Sequence, residues 1–365
     1  MRVLTVNPGS SSVKLAVIEN DAVLDQTSVA TASAQRSRRP LLDLVRRWAP
    51  VDAVGVRFVH GGRRTEPIRL GDKEIARLTA LTPLAPLHQP SSLALAALAE
   101  EIAPGTVFAC FDTAFHTGIP EAAARYALPA NWVREHDLRR YGFHGLSCAY
   151  ALRRTAELLN TEPRELRVVC CHLGAGVSVT AIRGARSVDT SMGFTPLEGA
   201  VMATRSGSVD PGLLMYLLRA GITEAAGLED TLEHSSGLAG MTGTGGDIRD
   251  VLAARADGRP EADLAIEVYL HRLRHEIGAM TAALDRLDAL VFTGGVAEHQ
   301  PGLIAELAAK LGIFDVRIDP DRLPAPGDRV LSPVRAGTRV VLVTAREDLE
   351  LAKQTEAAAV GPRLG

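Results

Sequence analysis

Twice in this chain an apolar strand runs into a short turn of small residues and leaves it as another apolar strand. The first instance joins residues 1–6 to 13–18 across Asn7, Pro8, Gly9, Ser10, Ser11 and Ser12. The second covers residues 168–181, where Val-Val-Cys-Cys leads into His172, Leu173, Gly174, Ala175 and Gly176 and then alternating Val177, Ser178, Val179 and Thr180. β-Branched, apolar runs bounded by Gly, Ser and Pro read as strands joined by tight turns. At 365 residues the chain exceeds what one hydrophobic core usually organises, so two domains with a cleft are expected, each opening on such a hairpin. One echo does not make a repeat. It would nevertheless set two backbone-rich loops face to face, with nucleotide phosphates between them.

The rest of the chain reads as mixed α/β. Strands are expected at 51–60, 106–113, 289–293 and 340–343, and helices at about 90–102 and 347–360. Ile266, Leu270, Leu273, Ile277, Met280, Leu284 and Leu287 recur at three-and-four spacing and predict a long helix with one buried face. Residues 196–204 read as helix-like, and the proline-rich 319–337 as a surface connection.

Forty basic against 43 acidic residues give a formal charge of −3, which argues against a broad nucleic-acid or anionic-membrane surface and leaves room for local basic pockets. The four cysteines, Cys110, Cys148, Cys170 and Cys171, are too few for a disulfide scaffold and lack metal-ligand spacing, so they read as reduced and buried. Neither a signal-peptide pattern nor an apolar run of membrane-spanning length is present, and the cytoplasm is the expected location.

Gly/Ser turns that follow strands expose backbone N–H groups, and such nests bind phosphate. Asn7 to Lys14, His172 to Gly176 and Gly294 to His299 all have this character, and Lys14 adds charge to the first; an ordinary turn explains each one taken alone, while three in one chain, each after an apolar strand, strengthen the case for phosphate. Asp112 stands at a strand end, as a cleft carboxylate or a turn aspartate. His144, between Phe143 and Gly145, has room to touch a ligand or to sit satisfied in a core. Arg57 lies inside an apolar strand, where a guanidinium is costly unless it meets an anion, and Arg205 precedes Ser206 and Gly207. For both arginines the alternatives are an anionic ligand and a buried ion pair. No zinc-ligand spacing and no nucleophile elbow occur.

Taken in order, Asn-Pro-Gly-Ser-Ser-Ser-Val-Lys (7–14), Arg-Phe-Val-His-Gly-Gly (57–62), Ala-Pro-Leu-His (85–88), Phe-Asp-Thr-Ala-Phe-His (111–116), Tyr-Gly-Phe-His-Gly (141–145) and Val-Asp-Thr-Ser-Met-Gly-Phe-Thr-Pro-Leu-Glu-Gly (188–199), continuing through Thr204 to Gly207, resemble the acetate kinase family. That family belongs with sugar kinases, actin and the heat-shock chaperone ATPases. The resemblance implies a duplicated actin-like (ribonuclease H-like) α/β fold. Residues 1–116 with a C-terminal helix at 348–365 would form the acceptor side, and 117–347 the nucleotide-binding domain, closing over the substrates. It further implies transfer of the ATP γ-phosphoryl group to acetate, giving acetyl phosphate and ADP, with Mg²⁺, or Mn²⁺ in its place, in a homodimer.

By the same resemblance Arg57, Asp112, His144 and Arg205 are catalytic, with Asp112 orienting more than deprotonating, because the acceptor carboxylate is already ionised at neutral pH. Val59, Leu87, Phe143 and Pro196 would line the acceptor pocket beside Arg57. Lys14, His172, Leu173, Gly174, Ala175 and Gly176 would meet the phosphates. Asp247, Ile248, Arg249 and the loop Gly295, Val296, Ala297, Glu298, His299 would hold adenosine, and Asn7 with Glu347 the metal. The chain departs from the family at Ala175, where an asparagine is usual, at Ala297 and His299, and at Arg346 before Glu347; it is also shorter between Lys14 and Arg57. A kinase for propionate, butyrate or another carboxylate is the near alternative, and a catalytically weak nucleotide binder the distant one. The acceptor-side set of Arg57, Asp112, His144, Arg205 and Glu347 argues against the second.

Overall fold

The computed structural model describes residues 1–9, 12–30 and 39–361, so Ser10 and Ser11 of the first turn lie outside the described residues. Two compact units divide the chain. One comprises Met1–Thr117, Phe143–Tyr150 and Arg346–Gly365, the other Gly118–Gly142 and Ala151–Ala345. The division expected from the sequence assigned 143–150 to the second part. In the structure Leu146 packs with Cys110 and Leu351, and Gly145 donates its N–H to the Asp112 carbonyl at 3.0 Å.

The first unit is built on β1 (Arg2–Pro8), β2 (Ser12–Glu19), β3 (Ala22–Ala30), β4 (Ala53–Phe58), β5 (Ile68–Arg69) and β6 (Val107–Phe111). Their order in the sheet is β3-β2-β1-β4-β6-β5. The first three strands form an antiparallel meander, β1, β4 and β6 run parallel, and β5 closes the edge antiparallel. The second unit carries β7 (Arg167–Leu173), β8 (Val177–Arg183), β9 (Arg186–Thr190), β10 (Ala289–Thr293), β11 (Arg329–Val330) and β12 (Arg339–Val343), ordered β11-β12-β10-β7-β8-β9. Read from the other edge, this is the order of the first sheet with every strand advanced by six. The echo of two hairpins is therefore one part of a duplicated topology.

Side-chain alternation explains how the first sheet sets up a site. Successive residues of a strand face opposite sides. Leu4 and Val6, Val54, Val56 and Phe58, and Val107, Ala109 and Phe111 pack on one face, against Leu95, Ala96, Leu98 and Ala99 of the helix Gln89–Ile102. The intervening residues face the helix Glu347–Val360, whose Leu351 meets Cys110 and whose Ala352 meets Val3, Ala16 and Ile18. At Gly55 that helix approaches so closely that a Cβ would lie 2.2 Å from Thr355 Oγ1. Asn7 and Arg57 continue this face at the carboxyl ends of β1 and β4, and Asp112 just past that of β6, within reach of the helix that begins at Glu347.

Several expectations need correction. Residues 196–204 are not helical; Gly199 adopts φ 111°, and Ser208 ties both its N–H and its carbonyl into an irregular loop. The helix expected through Leu287 is Pro260–Ala282, leaving Leu284 and Leu287 beyond its end. The segment 319–337 contributes β11, an edge strand antiparallel to β12, and buries Leu331. The expected loop 295–299 is a single helical turn. Among the described residues no helix is long and apolar enough to cross a membrane. All four cysteines are buried and outside any disulfide.

Candidate active site

In the first unit, four polar residues at the carboxyl edge of the sheet form one connected group. Arg57 donates from Nε to Asp112 Oδ1 at 2.9 Å and from Nη2 to Asp112 Oδ2 at 2.5 Å. Its Nη1 reaches Asn7 Oδ1 at 3.1 Å and the Pro8 carbonyl at 3.3 Å, and lies 3.9 Å from Glu347 Oε2. Asn7 Nδ2 donates to Glu347 Oε2 at 2.8 Å. Four of the five guanidinium N–H donors of Arg57 are thus committed within this group. The Arg57 and Asp112 side chains are 11% and 1% exposed, so the pair sits where an unpaired charge would be costly. Burial pulls the Arg57 pKa down, but Asp112 and Glu347 more than reverse this and hold it above the ordinary value. Burial raises the Asp112 pKa, against the charge and N–H bonds of Arg57.

His144 closes over the same carboxylate through its backbone N–H. It adopts φ 59°, a left-handed conformation that is uncommon outside glycine and is found where surrounding contacts enforce it. Gly145 follows because a Cβ there would stand 2.2 Å from the Asp112 carbonyl oxygen. Of the residues expected around a small acceptor, Val59 and Phe143 are buried, the Phe143 ring lying edge-on to His60, whereas Leu87 is 52% exposed.

The second unit contains Pro196, Arg205 and a cavity of about 510 Å³. Arg205 donates from Nε to Glu233 Oε2 at 2.9 Å. The ion pair raised as an alternative from the sequence is therefore present at both arginines, deeply buried on its acid side at Arg57 and part-buried at Arg205. The cavity is lined by Gly174 and Ala175, by Asp247, Ile248 and Arg249, and by Gly295, Val296 and His299, bringing three of the expected segments together. Asp247 caps the helix Ile248–Ala256 by accepting from the Arg249 N–H, and pairs with the Arg249 guanidinium at 2.5 Å. Bonds to Arg249 hold the Asp247 carboxyl at about 2.

Other expected nucleotide residues do not line this cavity. Leu173 and Ala297 are fully buried, and Glu298 accepts from the Ala345 N–H at 2.9 Å. His172, nearly buried, lies in β7, Gly176 closes the turn after Gly174, and Lys14 is exposed on β2 in the first unit. Within the turn the Gly174 N–H donates to the Gly176 carbonyl at 3.0 Å, so that amide is already used. Ala203, Leu238, Gly246, Tyr269 and Gln300 complete the lining and were missed. Only Gly246, in the run Gly243 to Asp247, carried a turn signal in the sequence.

Asn7 and Glu347 suit a hard cation. Their amide oxygen and one carboxylate oxygen accept from Arg57 Nη1 and Asn7 Nδ2, and Asp112 and Glu347 against Arg57 leave one net negative charge for a cation to offset. Among the described residues no cluster of three or more His, Cys, Asp or Glu side chains could hold a metal. Mg²⁺ fits such a site because it takes one or two protein oxygens and fills its shell with water and phosphate.

Comparison with known proteins agrees with the fold. The model of the acetokinase family matches residues 41–353. A relative from Synechococcus sp. named acetate kinase is 47% identical over 307 residues, 83% of this chain and 76% of its own length. The crystal structure of Porphyromonas gingivalis acetate kinase superposes with a TM-score of 0.88 at 32% identity, covering 98% of this chain and 99% of that one. A propionate kinase from Francisella tularensis gives 0.89 at 30% identity, covering 97% and 99%. The duplicated sheets are those of the actin-like ATPase fold, and the chain belongs to the acetokinase family.

Proposed function

We propose that this protein is an acetate kinase that moves the γ-phosphoryl group of ATP reversibly onto acetate. One carboxylate oxygen forms the new bond to phosphorus as the bond from phosphorus to the β–γ bridging oxygen breaks, giving acetyl phosphate and ADP. No proton has to move, because the acceptor is ionised at neutral pH. Catalysis therefore rests on positioning and charge neutralisation.

The observation that carries the reading is the Asn7, Arg57, Asp112 and Glu347 group. Asp112 holds the Arg57 guanidinium flat at the carboxyl edge of the sheet, and Arg57 offers its remaining N–H to an anionic oxygen. In the second unit Arg205 presents its open edge to an anion; in the first, His144 donates to an anionic oxygen. Asn7 and Glu347 would hold Mg²⁺, which neutralises phosphate charge when bound. The cavity around Ala175, Asp247 and Val296 takes the nucleotide. A specific name among the relatives favours propionate as a second acceptor, since one similar structure is a propionate kinase; buried Val59 and Phe143 favour the smaller methyl of acetate. We place the enzyme in the cytoplasm, with no nucleic-acid or membrane partner.

A homodimer is part of the proposal. The helix Pro211–Arg219 buries none of its residues, and Leu213, Met215 and Tyr216 are 46%, 50% and 57% exposed. An apolar face of this kind suits a second copy of the chain. Light scattering should give twice the chain mass, and Tyr216→Glu should shift it toward monomer; a monomeric native protein contradicts this part alone. For the chemistry, Arg57→Ala and Arg205→Ala should each lower kcat at least about tenfold with ATP affinity retained. Near-normal turnover in both variants would defeat the assigned roles.

A further inference from the structure

We propose that Glu233 is a positioning residue for Arg205, fixing which edge of the guanidinium faces substrate. The proposal rests on the reading of Arg205 as an anion-gripping group. Glu233 Oε2 accepts from Arg205 Nε at 2.9 Å, and the two side chains are 18% and 15% exposed. Arg205 Nη1 makes only long contacts, 3.4 Å to the Pro196 carbonyl and 3.9 Å to Met202 Sδ. Among the described residues nothing engages Nη2 by a hydrogen bond. The carboxylate thus occupies the Nε edge and leaves the Nη groups to bind a substrate oxygen.

Placement of Glu233 argues that the contact is more than local convenience. It lies in the last turn of the helix Ala225–His234, where the helix dipole disfavours a carboxylate, so a nearby cation is needed to offset it. The chain around Arg205 is secured without the Glu233 side chain. Thr204 Oγ1 donates to the Glu233 backbone carbonyl at 2.8 Å, Ser206 N to Leu232 O at 3.0 Å, and Ser236 N to Thr204 O at 2.9 Å. Met202 N and Arg205 O bond at 3.2 Å across the turn. Changing the carboxylate should leave this backbone in place and free only the guanidinium. A reacting group displaced by about 1 Å can lose on the order of 10²-fold in rate.

The test is a double-mutant cycle on kcat for acetate phosphorylation, with the ATP dissociation constant and thermal midpoint measured beside it. Glu233→Ala should lower kcat about 10- to 100-fold with ATP affinity unchanged. Glu233→Gln, whose amide oxygen still accepts from Nε, should stay within about threefold of the parent, and Glu233→Asp, one methylene short, should resemble the alanine variant. Arg205→Ala/Glu233→Ala should be no slower than Arg205→Ala alone. A slow Arg205→Ala beside a normal Glu233→Ala, or losses that multiply in the double variant, would overturn the positioning role and leave the role of Arg205 standing. A normal Arg205→Ala would overturn the underlying reading as well.

Discussion

Arg57 lays the Nε and Nη2 edge of its guanidinium against both carboxylate oxygens of Asp112, at 2.9 and 2.5 Å, with the Asp112 side chain 1% exposed. This pairing makes Asp112 a holder of the arginine. Strand alternation supplies the geometry, since both residues fall on the helix-covered face of the sheet at neighbouring strand ends.

Asp112→Ala should therefore damage stability and turnover together. Breaking a buried pair by removing one partner costs about 3–5 kcal/mol, and Glu347, 3.9 Å from Arg57, should keep the loss near the lower end. Urea unfolding should show the shifted midpoint, and steady-state kinetics a lower kcat. A stable variant of normal kcat would mean that Arg57 needs no holder.

Val59 tests the acceptor pocket. It is 4% exposed, and Val59→Ala should improve propionate relative to acetate, by about the 1–3 kcal/mol that a methylene is worth in a pocket. The ratio of kcat/KM for the two acids measures this directly. An unchanged ratio would remove Val59 from the pocket.

Much of this site was legible in the sequence because its physics is local. A buried arginine in β4 demands an anion, and a carboxylate ends the neighbouring strand. Both sheets were signalled by their hairpins. What stayed hidden depends on residues distant in sequence. Tyr269 lines the cavity from the middle of a helix whose apolar spacing marks only burial, and Leu238 and Ala203 reach it through irregular loops. The stretch 196–204 carries Leu, Ala and Met, which favour a helix, but Gly199 at φ 111° and bonds to Ser208 override that preference. Glu233 announced nothing, since an acid near a helix end reads as ordinary surface.

Ala175 tests the nucleotide turn. Its carbonyl accepts from the Ala203 N–H at 3.1 Å, which pins the loop, and its side chain borders the cavity. Ala175→Asn should restore a donor near the transferring phosphate and raise kcat, within the roughly 10²–10³ range that one preorganised donor is worth. Unchanged kcat with ATP affinity intact would show that another group already serves.

His116 should set part of the acid limit of stability. Burial lowers its pKa to about 4 from 6.5, against a bond from its Nε2 to the Phe143 carbonyl at 2.9 Å. Between these values the unfolded chain binds a proton that the folded chain does not. Its contribution is whole above pH 6.5 and falls as pH drops toward 4, by up to about 3 kcal/mol. His116→Gln should flatten the dependence of unfolding free energy on pH across this window; an unaltered slope would place the titration elsewhere.

Phosphorus NMR of the purified protein with ATP, Mg²⁺ and acetate follows donor and product of the proposed transfer in one sample. An acetyl phosphate resonance should grow in step with ADP, be absent when acetate is omitted and be consumed when acetyl phosphate and ADP are supplied instead. Bound ATP with no acetyl phosphate formed, or release of inorganic phosphate alone, would contradict it.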